Sequence, residues 1–391
     1  MKADIEILWD ASPLWGPLLL NAVRQYAEAE GFSFSVVSGR MIAEQGVKSR
    51  VLLVPGGSAR HKLLGLGRAG AANICDFVAG GGAYVGFCGG AGLALYDSLG
   101  LCPWKRSAIQ DRMQHLISGH IVCDVAEHAA CPGTEQASLP VWWPARFDES
   151  GGVSVLARYR SMGPDLYIGD IPVSELTETD FESWVSLYGL DMMPSLLDGH
   201  PCVVCGTYGK GSYVLSYSHF ETPDSADANG FFASALSYLT GQRIKYHPVT
   251  AEFVRNRSSC AAKLGQLLET GTRLGLFFER TPWLYGWRSD VPGSQLNALR
   301  MALLTAREDA YMDKDFSLLF DMFLKGARNW LLAKKLASAS EAKDTVPPSI
   351  LAGQKTELFG SPMFGGGMCG DLLARLNACH VGRQDAASGM R

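Results

Sequence analysis

Ten cysteines and eight histidines are the side chains best suited to act as nucleophiles, bases or metal ligands. One of each sits where its chemistry has a mechanical reason. The run Tyr84-Val85-Gly86-Phe87-Cys88-Gly89-Gly90-Ala91-Gly92 places Cys88 in a Gly-x-Cys-x-Gly motif, between an apolar strand pattern and a helical one. A nucleophile on a sharp strand-to-helix turn needs small residues two positions to either side, because bulk there would clash. The helix that follows turns its positive N-terminal end toward the sulfur and favours thiolate over thiol. The competing reading is a Gly-rich turn that happens to contain a buried cysteine.

Two further segments supply what such a thiol requires. Leu52-Leu53-Val54-Pro55-Gly56-Gly57 ends an apolar strand in a glycine pair, whose backbone amides can approach a substrate carbonyl unobstructed. Val214-Leu215-Ser216-Tyr217-Ser218-His219-Phe220-Glu221 ends a strand in His-x-Glu, a base with an acid placed to fix its tautomer. A lone histidine is usually a surface or cap residue; this one coincides with an elbow of the right type far upstream. Together they predict a Cys88, His219, Glu221 triad with an oxyanion hole from Gly56, Gly57 and Gly89.

The elements that must carry these residues alternate. Strand patterns at Ile5–Trp9, Phe32–Val37, Val51–Val54 and Ala83–Phe87 are separated by helical patterns at Pro13–Glu30, His61–Val78 and, after the last strand, Ala91–Leu99. This alternation predicts an α/β fold, an open and mostly parallel sheet with helices on both faces. A β-rich stretch follows. Pro201–Thr207 and Ser212–Ser218 then flank Tyr208-Gly209-Lys210-Gly211 as a hairpin, and Phe231–Leu239 reads as a closing helix. Beyond about residue 245 the β signal stops. Ala251–Phe278, Gln295–Ala310 and Phe316–Leu336 show helical spacing. The expected organisation is a domain over 1–245, a helical domain or appendage over 246–340, and a loosely ordered tail over 341–391, where Pro347-Pro348 and Gly365-Gly366-Gly367 occur. Acids exceed bases in residues 1–250 and bases exceed acids afterwards, which also suggests two units.

With these three blocks in hand, the chain resembles the class I glutamine amidotransferase superfamily. Within it, the chain is similar to the domain at the N-terminus of eukaryotic biotin–protein ligases, which also occurs in bacterial proteins lacking the ligase. The matching blocks are Val54-Pro55-Gly56-Gly57, the run from Ile74 to Gly90, and Tyr208–Ser216 leading to His219 and Glu221, with Val155-Leu156-Ala157-Arg158-Tyr159 between. The resemblance covers about residues 4–240 and implies a flavodoxin-like sheet bearing that triad. Phe220 stands where many members have proline. No Gly-Arg-Gly-Arg type biotin loop occurs, so biotinylation is not expected, and residues 245–391 match nothing in the family.

Other motifs carry less. Cys202-Val203-Val204-Cys205 has redox or metal spacing, but residues three apart on a strand point to opposite faces and no second pair completes a zinc site. Gly65-Leu66-Gly67-Arg68-Ala69-Gly70 imitates a dinucleotide fingerprint without directly following a strand, so it reads as a loop or helix start. Trp142-Trp143 suits a core cap better than a pocket wall, and Arg158 and Arg160 suit a solvated strand face better than a carboxylate site. No cofactor or metal is expected.

Composition sets outer bounds. With 47% hydrophobic and 19% charged residues the chain is globular, and a net charge of −4 gives no reason to expect nucleic acid or an anionic membrane. Cysteines inside apolar runs, such as Cys75 in Asn73-Ile74-Cys75-Asp76-Phe77-Val78, suit a reducing, cytoplasmic setting. No stretch reaches the ~18 apolar residues of a membrane span, and the N-terminus lacks a signal-peptide pattern. The expected function is a cysteine-dependent hydrolase or amidotransferase acting on the C–N bond of a small-molecule or peptide amide. An ammonia-accepting partner enzyme follows if glutamine is the substrate. The alternatives are a non-catalytic binding or regulatory module of the same fold, and a cysteine-based redox or aldehyde-handling role, for which His-x-Glu is not needed.

Overall fold

In a computed structural model of the chain, the described residues are 3–10, 14–107, 116–189, 191, 193, 197–252, 258–339, 346–360, 366–381 and 384–385. Pro13 and Gly365, named in the sequence reading, lie outside them. The chain divides into two compact units, Met1–Thr250 with Gly382–Arg391, and Ala251–Val381.

The first unit opens with β1 (Ile5–Trp9), α1 (Trp15–Glu30), β2 (Phe34–Ser38), α2 (Gly39–Gln45), β3 (Val51–Val54), α3 (Ala59–Ala79), β4 (Ala83–Phe87) and α4 (Gly89–Ala94). It continues with β5 (Lys105–Arg106), β6 (Ile117–Val125), β7 (Gln136–Trp142), β8 (Phe147–Asp148), β9 (Ser154–Met162), β10 (Tyr167–Ile168), β11 (Ile171–Pro172), α5 (Glu178–Tyr188), β12 (Pro201–Tyr208), β13 (Gly211–Ser216) and α6 (Ala226–Thr240). Strands β2, β1, β3, β4 and β13 lie side by side in that order, all parallel. This is the flavodoxin-like order, with β13 as fifth strand. Beyond β13 the sheet continues antiparallel through β12, β9 and β6 to β10 and β11, and β7 pairs with β6.

Burial explains the parallel core. β1, β3 and β4 are buried throughout, as continuous apolar strands covered on both faces must be. On one face Leu8, Leu52, Val54 and Tyr84 pack with Leu66, Ile74 and Val78 of α3. On the other, Tyr26 of α1 meets Phe232 of α6 with ring centroids 5.2 Å apart, and Phe87 of β4 lies 6.1 Å from Phe232. The Gly65–Gly70 segment falls inside α3, where Gly67 (φ 59°) kinks the helix.

The second unit departs from the helices-only expectation. After α7 (Ser259–Arg273) comes an antiparallel hairpin, β14 (Phe277–Thr281) with β15 (Leu284–Trp287), then α8 (Gly293–Thr305), α9 (Glu308–Tyr311) and α10 (Lys314–Ala337). Part of the stretch expected to be loosely ordered carries α11 (Pro348–Phe359) and α12 (Gly367–Ala378). Leu358, Phe359, Cys369, Leu372 and Leu376 from these two helices are buried in one core with Leu264, Leu299, Phe323 and Trp330. β16 (Gln384–Asp385) pairs antiparallel with β2 in the first unit. No helix among the described residues is long and apolar enough to cross a membrane.

Candidate active site

Cys88 follows the last residue of β4 and sits at φ 48°, ψ −106°, the N-cap of α4. For a residue with a Cβ this conformation costs about 1–3 kcal/mol and persists only where the surroundings enforce it. Here they do. The Cys88 N–H donates to Ser216 O on β13 (2.7 Å), and its carbonyl accepts from Gly92 N (2.9 Å). The start of α4 is pressed into the end of β3. A Cβ on Gly89 would lie 1.8 Å from Gly57 O, and one on Gly90 would lie 2.2 Å from Val54 O. The motif's glycines are therefore the condition for two chain segments to touch.

His219 arrives from β13, three residues past its end. Its backbone N–H donates to Pro140 O on β7 (2.9 Å), and its Nδ1 is 2.8 Å from Glu221 Oε1. Nδ1 therefore donates to the carboxylate, which leaves Nε2 to face chemistry. Both side chains are fully buried, at 0% exposure. Trp15 at the start of α1 stacks on the imidazole with ring centroids 4.0 Å apart. Gly56 lies against both rings, since a Cβ there would come within 2.7 Å of His219 Cε1 and 2.9 Å of the Trp15 ring. Asn229 of α6 is buried and donates to Phe220 O and Thr222 O, both 3.0 Å away, so the residues flanking Glu221 are tied to one helix.

The electrostatics follow. Burial pushes the Cys88 thiol up, but the neighbouring His219 imidazole and the backbone N–H groups of Gly57 and Gly89 outweigh it, so the thiol lies below its ordinary range. Burial alone would keep His219 neutral; Glu221 and the neighbouring Cys88 lift it to about 9. The two shifts are complementary, each group favouring the charged form of the other. Cys88, Cys75 and Cys379 are the three cysteines not fully buried, and burial raises the thiols of Cys75 and Cys379. Buried Tyr159 and Tyr217 also neighbour Cys88, and burial holds both phenols neutral.

The structure thus gathers Cys88, His219, Glu221, Gly56, Gly57 and Gly89 at the carboxyl ends of β3, β4 and β13. Gly57 and Gly89 supply amides at the sulfur, while Gly56 makes room for the imidazole. Sequence reasoning passes over Trp15 and Asn229. Trp15 gives no spacing signal. Asn229, a polar residue within the apolar run Ala226–Leu239, is the signal of a satisfied buried amide.

The remaining motifs lie apart from these residues in their hydrogen bonds and ion pairs. Cys202 lies 3.8 Å from Cys123, sulfur to sulfur, and Cys205 lies 3.8 Å from His128 Nε2; among the described residues no group of three or more ligands could hold a metal ion. Arg158 pairs with Glu149 (2.8 Å) and Arg160 with Asp124 (2.6 Å), both partly exposed. Trp142 is buried, 6.0 Å from Trp15, and Trp143 is 44% exposed at φ 59°. In the second unit a cavity of about 740 Å³ is bordered by Lys334 and Lys355, whose ammonium groups both contact Asp290.

No family model matches the chain, and no curated protein matches it. Among solved structures, a β-galactosidase from Bacillus circulans sp. alkalophilus is 15% identical over 62% of this chain and 32% of its own, with TM-score 0.35. The alignment thus spans about a third of that enzyme's length. A ThuA-like protein from Bacteroides uniformis is 11% identical over 61% of this chain and 93% of its own, with TM-score 0.37. A GMP synthase component from Thermoplasma acidophilum is 8% identical over 62% of this chain and 96% of its own, with TM-score 0.40. The likeness to biotin–protein ligases rests on the sequence blocks alone.

Proposed function

We propose that the first unit is a cysteine-dependent acyl-transfer enzyme acting on an amide or related C–N bond. The observation that carries this reading is the strained, partly exposed Cys88 held against a buried His219–Glu221 pair and two backbone amides. The Cys88 thiolate adds to the carbonyl carbon, and the C=O electron pair moves to oxygen, where the Gly57 and Gly89 amides hold it. His219 gives its Nε2 proton to the departing nitrogen, the C–N bond breaks, and ammonia or an amine leaves a thioester. Water then attacks the thioester as His219 takes its proton. The C–S bond breaks, the acid leaves, and the thiolate–imidazolium pair is restored. Glu221 orients His219 throughout.

The sequence likeness to the class I glutamine amidotransferase superfamily supports the same chemistry. If the amide is glutamine, the ammonia passes to a partner enzyme. The complete burial of His219 beneath Trp15 favours a second reading, a non-catalytic module keeping the fold. Ammonia release from glutamine, asparagine and simple acyl amides, followed with acid-quenched mass mapping of the Cys88 peptide, separates the two. The enzyme reading expects ammonia and an acyl mass on Cys88, both lost in Cys88→Ala. Ligand binding with neither product would establish the module.

A further inference from the structure

A second array of polar side chains joins β6, the turn before β10 and the N-cap of α6. His120 on β6 binds Asp165 twice, through its backbone N–H (2.9 Å) and through Nδ1 (2.7 Å). Its Nε2 is 3.0 Å from Ser225 Oγ. Ser225 is the N-cap of the 15-residue helix α6, yet its side chain makes no capping hydrogen bond. Serine is favoured at that position because it caps, worth about 0.5–2 kcal/mol. Here the hydroxyl serves His120 instead. The residue before it, Asp224, is held at φ 58°, so the chain is also strained into this turn.

The placement gives the array a purpose. His120 pairs directly with Pro140 in the β6–β7 ladder, and Pro140 O accepts the His219 N–H. One hairpin therefore grips both ends of the segment from His219 to Ser225, which carries the imidazole and its carboxylate. A third tie, Ser138 N to Asp227 Oδ2 at 2.7 Å, joins the same hairpin to the first turn of α6. Asn229 holds the segment from inside the helix, and His120 holds its far end from the sheet.

We propose that His120, Asp165 and Ser225 are positioning residues that set the placement of His219 and Glu221 against Cys88. This rests on the reading of Cys88 and His219 as a reactive pair. Asp165 fixes the ring of His120, His120 accepts the Ser225 hydroxyl proton, and the loop is thereby drawn into one geometry. None of the three touches the reacting atoms.

The test is the pH dependence of Cys88 alkylation by iodoacetamide in the full chain, for wild type, Ser225→Ala, Asp165→Asn and Ser225→Thr, with melting temperature alongside. Loosening the loop weakens the imidazolium's hold on the thiolate. In Ser225→Ala and Asp165→Asn the acid limb should move up by about one pH unit, making labelling about tenfold slower near pH 6. Rates should converge above the limb, where the thiolate forms without help. Ser225→Thr restores the hydroxyl and should restore the limb. General unfolding would instead speed labelling at every pH and expose the buried cysteines. An unmoved limb in Ser225→Ala and Asp165→Asn, with the wild-type limb below the ordinary cysteine range, overturns the positioning role alone. A wild-type limb at the ordinary value removes the reactive pair itself, and the positioning role with it.

Discussion

At the scale of single residues, Cys88 and His219 are legible in the sequence because their neighbours have to be what they are. Glycines 86, 89 and 90 mark places where backbones meet, Gly56 leaves room for the His219 and Trp15 rings, and a close approach of either kind leaves a trace in sequence. Trp15 leaves none, because a tryptophan that stacks on an imidazole looks like one filling a core. Two predictions belong here. Rates of acyl transfer should rise with pH as Cys88 ionises, below the ordinary thiol range, and fall as His219 loses its proton near 9. The sign follows because the thiolate needs the charged imidazole, and a raised His219 keeps that charge to higher pH. A profile of kcat/KM against pH that rises only above 9 contradicts it. His219→Asn should lower kcat by roughly 10²–10⁴ with the fold intact by circular dichroism. Trp15→Ala, which uncovers the imidazole, should cost about 3–5 kcal/mol in denaturant unfolding and slow Cys88 alkylation as well.

At the scale of elements, the parallel order of β2, β1, β3, β4 and β13 is readable because alternating apolar strands and helices have few ways to pack. The departures have physical causes. Phe277-Phe278 extends a helical spacing in sequence, and Leu284-Tyr285 is too short a run to signal a strand alone. In the hairpin Phe277 and Phe278 instead pair with Trp287 and Gly286, and Glu279 and Thr281 with Tyr285 and Leu284, across a short turn where Leu284 N donates to Thr281 Oγ1 (3.0 Å). Pro347-Pro348 suggests a loose tail, yet Pro348 is the first residue of α11, where its missing N–H costs nothing. Gly366, the N-cap of α12, and Gly367, its first residue, sit at φ 97° and 62°, a turn into a helix that only glycine makes cheaply. The junction of β3 and α4 yields its own prediction. Gly89→Ala puts a methyl on Gly57 O, so the turn must open. Cys88 labelling should slow at low pH, and stability should fall by about 1–3 kcal/mol, the usual cost of overpacking. Unchanged labelling would show that the two segments need not touch.

At the scale of the whole molecule, a buried cluster of each unit is drawn from that unit alone, one from Leu8 to Tyr217 and one from Cys260 to Leu376. A fragment of residues 1–250 should therefore fold cooperatively and keep a reactive Cys88, while Trp330→Ala in the full chain should lower the stability of the second unit by about 3–5 kcal/mol and leave Cys88 labelling alone. A fragment that aggregates, or a Trp330→Ala chain with silent Cys88, would show that the second unit completes the first. The central claim, a thiolate poised by His219, is met most directly by substoichiometric alkylation of the wild-type chain across pH, with every labelled cysteine mapped by mass. Cys88 should be labelled first, and its rate should reach a plateau below the ordinary thiol pKa of about 8.5. First labelling at Cys75 or Cys379, or a Cys88 limb at that ordinary value, would contradict it.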